Sequence, residues 1–258
     1  MIGQNELIRQ IERLIEEGEF PRFSIIVGDR GSGKKSLAAY IAGLMQANFV
    51  YLEDNSIASI RQVIDESYKQ SGITVYRISD ADSMSNEAQN TLLKVTEELP
   101  NNSYFIMTLE DVQNTLDTIV SRAHIFVMQS YSEEEIGQYA EKYYPDKLNI
   151  IKKVCTTPGD ADIIVTYDGF YEYVRKVVEN VENTALVNTF KIAEKIALKG
   201  EEDKYDPVLF FKAVMRVAWD DWNFKLMTKT SYYLSKLTRR SINKQMIFDQ
   251  WLIDVQGE

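Results

Sequence analysis

The chain has 258 residues, 45% hydrophobic and 26% charged, which is ample material for the cores of one to three domains. A net charge of −10 argues against a protein that grips the DNA backbone alone, and the basic residues near the end (Lys225, Lys229, Lys236, Arg239, Arg240, Lys244) are diluted by acids. The single cysteine, Cys155, excludes an internal disulfide and a cysteine-rich zinc module, and no apolar run approaches the roughly 20 residues of a membrane span.

In chain order, the first expected element is a helix over Gln4–Glu17. Apolar runs of strand length follow at Phe23–Val27, Phe49–Leu52, Val75–Ser79, Tyr104–Leu109 and His124–Met128. Amphipathic segments separate them at Lys34–Met45, Ile57–Lys69, Asn86–Glu98 and, more briefly, Val112–Ser121. Strands alternating with helices predict βαβ units, hence an α/β fold with a parallel sheet and helices on both faces. Ser132-Glu133-Glu134-Glu135 reads as a capping box, after which the strand signal nearly disappears. Helices are expected over Glu133–Tyr143 and Asp146–Thr156, with Pro145 between them and Pro158-Gly159 as punctuation. Longer ones follow at Tyr171–Val181, Thr184–Leu198, Pro207–Lys229, Ser231–Leu237 and Asn243–Val255, broken at Gly200–Asp203 and around Thr238–Arg240. The expected division is an α/β domain over 1–130, a small helical domain over 131–167 and a helical bundle over 168–258. The start of the chain lacks the basic, apolar and small-residue run of a secretory leader, so a cytoplasmic location with no membrane partner is expected.

The run Val27-Gly28-Asp29-Arg30-Gly31-Ser32-Gly33-Lys34-Lys35-Ser36 places G-x-x-x-x-G-K between a strand and a helix. Glycines permit positive φ, so successive N–H groups can converge on phosphate oxygens. The helix N-terminus adds partial positive charge, and the lysine neutralises the outer phosphates. Gly28, Gly31, Ser32, Gly33, Lys34, Lys35 and Ser36 are therefore candidate nucleotide-binding residues, with ATP or ADP as the ligand. The competing reading, a glycine-rich turn with an incidental lysine, is weakened by the flanking strand, the flanking helix and the third glycine. One position breaks the pattern. The residue after the lysine ordinarily offers a hydroxyl to Mg²⁺; here it is Lys35, and Ser36 lies about 100° further round the helix. Phosphate has a place, whereas Mg²⁺ does not have its usual one.

About 45 residues beyond the loop come Ser79-Asp80-Ala81-Asp82 and then Ala88-Gln89-Asn90-Thr91-Leu92-Leu93-Lys94-Val95-Thr96-Glu97-Glu98-Leu99-Pro100. Thr118-Ile119-Val120-Ser121-Arg122-Ala123 follows, and Ile2-Gly3-Gln4 stands at the start. In this order and spacing, residues 1–130 resemble the bacterial clamp-loader branch of the AAA+ ATPases, the gamma/tau and delta-prime subunits of DNA polymerase III. Those proteins carry an early GQ, a P-loop, an acidic strand end, an AQNALLKTLEEPP-like helix and a TILSRC-like segment. The resemblance implies an AAA+ P-loop domain, a small helical lid and a C-terminal collar. It implies a nucleotide site that includes Gln4 and Asp80.

The departures carry information too. Ser79 stands where the resemblance puts the Mg²⁺-supporting aspartate, and Asp80 where it puts the glutamate that orients water. The polar sensor falls near Leu109, flanked by Thr108 and Glu110. The lid's Gly-Ser-x-Arg pattern is met by Thr157-Pro158-Gly159-Asp160-Ala161, with no base. Phosphoryl transfer depends on metal and cations, so these losses predict a weak ATPase. The alternative, that Asp80 or Asp82 takes over the metal, stays open. Arg122 is intact although Ala123 replaces the family's cysteine. In the resembling family this arginine acts on a neighbour's ATP as an arginine finger; the plainer reading is a surface arginine capping a short helix. The expectation is a delta-prime-like subunit working with gamma/tau ATPases and delta-like subunits, reaching the sliding clamp and primed DNA through the assembly. A gamma/tau-type active ATPase and a non-enzymatic AAA+-fold adaptor remain as alternatives.

Elsewhere, Asp160, Asp162 and Glu133–Glu135 read as solvated helix ends. His124 reads as structural or interfacial. Phe210, Phe211, Trp219, Trp222, Phe224, Tyr232 and Tyr233 fall mostly on helix faces, which favours core or subunit interface over base stacking.

Overall fold

The computed structural model describes residues 2–52, 54–181, 192, 195–196, 204–237 and 243–256. They form two compact units, Met1–Ser132 and Glu133–Glu258. Among the described residues, no helix is long and apolar enough to cross a membrane.

The first unit opens with α1 (Asn5–Glu16) and continues β1 (Phe23–Val27), α2 (Lys34–Leu44), β2 (Asn48–Tyr51), α3 (Ile57–Ser67) and β3 (Thr74–Ile78). It closes with α4 (Asn86–Glu97), β4 (Ser103–Leu109), the one-turn α5 (Asp117–Val120) and β5 (His124–Val127). The strands pair in parallel in the order β2-β3-β4-β1-β5, so β1 lies between β4 and β5. Alternate side chains of each strand go to opposite faces, and both faces are covered. Phe23, Ile25, Tyr76, Ile78, Phe105 and Met107 meet α3 and α4 through Ile60, Val63, Leu92 and Val95. Ile26, Val75, Ile106 and Phe126 meet α1 and α2 through Leu7, Ile11, Leu37 and Ile41.

Short side chains set the helix starts. Ser56 accepts from the Ser59 N–H, and Ser85 from the Ala88 N–H, each satisfying an otherwise orphaned donor. The helix expected over Val112–Ser121 is two pieces, a 3₁₀ turn at Val112–Asn114 and α5, because Thr115 is extended between them.

The second unit contains α6 (Glu133–Tyr143), α7 (Leu148–Val154), α8 (Pro158–Ile164), α9 (Phe170–Val181), α10 (Pro207–Asp220), α11 (Phe224–Leu237) and α12 (Lys244–Gln256). Two expectations are corrected here. Pro158-Gly159 does not end a helix but begins α8. Thr157 and Asp160 form a capping box around it, and proline is well suited to a first helical position because its missing N–H has no partner there anyway. The single helix expected over Pro207–Lys229 is broken at Asp221–Asn223. Trp222 has φ +57, and the Asn223 N–H reaches back to the Ala218 carbonyl, which closes α10 in a Schellman turn. Asn223 then accepts from the Leu226 N–H and so starts the next helix.

The solvated reading of Asp160 is also corrected: it is buried, accepts from the Thr156 and Thr157 N–H groups, and pairs with the Lys212 ammonium of α10 at 2.6 Å. Phe210, Phe211, Phe248 and Trp251 build the aromatic core between α10 and α12, and the Trp251 Nε1–H donates to Thr230. Trp219, Trp222, Phe224 and Tyr232 are exposed, while Tyr233 is buried. The helix expected over Thr184–Leu198 and the breaks at Gly200–Asp203 and Thr238–Arg240 lie outside the described residues, apart from Ile192, Lys195 and Ile196.

Candidate nucleotide site

In a parallel sheet all strands end at one edge, and the loops leaving β1, β3 and β4 meet there. The phosphate loop follows β1. Gly31 and Gly33 have φ of +76 and +95, and Gly33 is the N-cap of α2. A Cβ on Gly28 would sit 2.9 Å from both Met128 Cβ and Ser32 Oγ, so only glycine passes under the end of β5. Ser32 is buried, and its carbonyl accepts from the Tyr131 hydroxyl at 2.6 Å. Lys34 is 6% exposed, and its ammonium donates to the carbonyls of Gly28 at 2.6 Å and Asp29 at 2.8 Å. Burial holds that ammonium below the usual lysine pKa, against the pull of Glu110, Asp80, Asp82 and Asp29. Lys35 and Ser36 are exposed on the first turn of α2.

The loop after β3 supplies the acids. Asp80 is in the left-handed region (φ +52), and it is held there from two sides. Its N–H donates to Thr108 Oγ1 at 3.2 Å, and Asn55 Nδ2 donates to the carbonyls of Ser79 at 2.8 Å and Asp80 at 3.2 Å. The polar residue of β4 that touches this loop is thus Thr108, while Leu109, near which the sensor was expected, is fully buried in the core. Asp82 accepts from the Glu110 N–H. Glu110 is exposed as a residue, yet the desolvation of its carboxyl pushes its pKa up, opposed by Lys34 and reinforced by Asp82.

Lys35 Nζ lies 2.8 Å from Asp80 Oδ2, with the side chains 52% and 57% exposed. An ion pair this wet contributes about 0–1 kcal/mol, so its significance is not stability. Next to it is a cavity of about 560 Å³ lined in part by Lys35, Tyr51, Asn55, Arg77, Ser79 and Asp80. Ser79 Oγ and Arg77 Nε are buried without a hydrogen-bond partner.

These residues fit a phosphate: the loop has the two left-handed glycines, a cradle that a Cβ would fill at Gly28, and a buried cation. They do not fit Mg²⁺. The helix position carries an ammonium, the strand position is Ser79, and among the described residues no three His, Cys, Asp or Glu side chains converge as a metal site.

Gln4 is buried at the start of α1. Its amide donates to the Gln129 carbonyl at 2.8 Å and accepts the Gln129 N–H at 2.9 Å, tying α1 to the segment after β5. Arg122 lies between α5 and β5. Its guanidinium donates to the Thr118 carbonyl at 2.8 Å and to Glu97 at 3.2 Å, and its side chain is 38% exposed. Sequence reasoning missed Asn55 and Tyr131. Neither belongs to a local pattern, since each touches the site only through the tertiary fold.

The family described as "DNA polymerase III, delta subunit" matches residues 50–132. Over 141 residues the chain is 25% identical to DNA polymerase III subunit delta' of Bacillus subtilis, covering 54% of this chain and 43% of that protein. Over 224 residues it is 23% identical to the gamma subunit of Buchnera aphidicola subsp. Schizaphis graminum, covering 75% and 56%. In these matches the chain is similar to the bacterial clamp-loader AAA+ family. It is also 30% identical over 153 residues to replication factor C subunit 3 of Saccharomyces cerevisiae, covering 52% of this chain and 43% of that protein. The chain spans about half the length of the curated relatives it matches. A gamma subunit-related protein from Thermotoga maritima shares the fold at a TM-score of 0.54 and 15% identity, covering 97% of this chain and 98% of that one. The RuvB branch migration motor of the same organism does so at 0.52 and 17%, covering 86% and 78%.

The region matched by the family, residues 50–132, includes Gln89, which is buried on α4. It accepts the Leu116 N–H at 2.8 Å and donates to the Asn114 carbonyl at 3.1 Å. The segment leading to Arg122 is therefore tied to α4 twice, by Gln89 and by Glu97.

Proposed function

We propose that this chain is a delta-prime-like clamp-loader subunit, poor at hydrolysis itself, which lends Arg122 to the ATP site of a neighbouring subunit. One contrast carries the reading. The chain's own site has an ammonium and a serine where metal-supporting groups belong, while Arg122 is intact, exposed and held on a braced segment. An arginine finger meets charge that develops only in the transition state, so it is useful even on a subunit that hydrolyses nothing. The partners are gamma/tau-like ATPases and a delta-like subunit, and the sliding clamp and primed DNA are reached through that assembly in the cytoplasm. Residues 1–130 serve as the AAA+ domain, 131–167 as the lid and 168–258 as the collar that assembles the ring.

The test is reconstitution with a gamma/tau-like ATPase and the clamp. Arg122→Ala is expected to lower clamp-stimulated ATP turnover by about 10³-fold or more at the site it serves, without weakening assembly. An unchanged rate in an intact assembly sinks the finger. The preserved Lys34 and the gamma-subunit match favour a second reading, in which the chain hydrolyses ATP itself. Turnover by the purified chain that disappears in Lys34→Ala decides for it.

A further inference from the structure

We propose that Lys35 is the built-in counter-cation of the phosphate loop, so that nucleotide phosphate binds this chain without a divalent metal; the inference rests on the phosphate-loop reading above. In a P-loop site the metal is held between a hydroxyl on the first turn of the helix and an acid at the end of a strand. Both positions differ here, and in compensating directions. The hydroxyl is replaced by Lys35, and the acid by Ser79. Lys35 Nζ then reaches across to Asp80 at 2.8 Å, joining the start of α2 to the loop after β3 as a bridging metal does.

The charges compensate as well. A divalent ion beside an aspartate presents a net single positive charge, and so does an ammonium beside a serine. Asp80 stands opposite in either case. The surrounding groups are Asp29, Asp82 and Glu110 on one side and Arg30 and Lys34 on the other, and all of them act on Lys34 or Glu110. An ammonium has three donors, of which Asp80 engages one. With its side chain 52% exposed, Lys35 can offer the others to a phosphate oxygen. The unpartnered Ser79 Oγ lies in the lining of the same cavity.

The test is a fluorescence titration of the full chain with mant-ADP and mant-ATP, in excess EDTA and in excess Mg²⁺. The wild type is expected to bind with Kd values within about threefold of each other in the two buffers. Lys35→Ser is expected to lose about tenfold or more in EDTA, and Lys35→Ser combined with Ser79→Asp to bind only when Mg²⁺ is present. Lys34→Ala is expected to remove binding in both buffers, and thermal melts establish that each variant is folded. Wild-type binding that collapses in EDTA overturns the proposal, as does Lys35→Ser binding normally there. No binding in either buffer overturns it too. That last result leaves the clamp-loader reading standing, since assembly with a gamma/tau-like partner and the effect of Arg122→Ala are measured without reference to this site.

Discussion

Lys34 and Lys35 are adjacent in sequence and opposite in circumstance. Lys34 is buried against its own loop's carbonyls, and loss of water holds its pKa below the ordinary lysine range. Two consequences follow for pH. A group whose folded pKa is depressed binds fewer protons folded than unfolded, so through the window between those two values stability rises with pH. Phosphate affinity moves the other way, because deprotonation removes the charge that attracts the ligand. Nucleotide affinity is therefore expected to fall on the alkaline side before the usual lysine titration, and a titration of mant-ADP binding against pH checks it; a midpoint at the normal lysine value disproves the buried-cation account. The glycines and lysines of this site were legible in the sequence because their spacing is local. The choice between Leu109 and its neighbour Thr108 was open in the sequence, as the register of β4 against β1 depends on pairing Ile26 with Thr108 and Val27 with Leu109, which local pattern does not fix.

Among the elements, α8 shows how a proline can be read the wrong way round. Pro158 looks like an ending, yet Thr157 before it and Asp160 after it make it a beginning. Asp160 also receives the Lys212 ammonium, with the two side chains 6% and 19% exposed, so one carboxylate caps α8 and anchors α10. Asp160→Ala leaves that ammonium without its carboxylate, with only the Thr156 hydroxyl still accepting from it, and orphans two N–H groups. It is expected to cost about 3–5 kcal/mol in urea unfolding, and adding Lys212→Met should restore part of the loss. A cost below about 1 kcal/mol would place the pair among the inconsequential ones. The α10–α11 break escaped notice for a related reason. Trp222 is a bulky residue in a left-handed conformation that ordinarily calls for glycine, and nothing in the local sequence announces it.

At the scale of the molecule, the alternation of strands and helices made the α/β sheet legible, since period and spacing are properties of the chain itself. The strand order was not, because it is a choice among topologies that share the same local pattern. The unit Met1–Ser132 has its own sheet with a core on each face, so a fragment of residues 1–132 is expected to fold alone. A cooperative thermal transition by circular dichroism checks this; a broad, non-cooperative melt refutes it. The Gln4–Gln129 clasp has a kinetic meaning for that unit. It joins residues 125 positions apart, and the central strand β1 stays half-paired until β5 arrives. During synthesis the outer edge of β1 therefore stays unpaired until His124–Val127 have been made. High contact order of this kind slows folding and lengthens the interval in which chaperones matter.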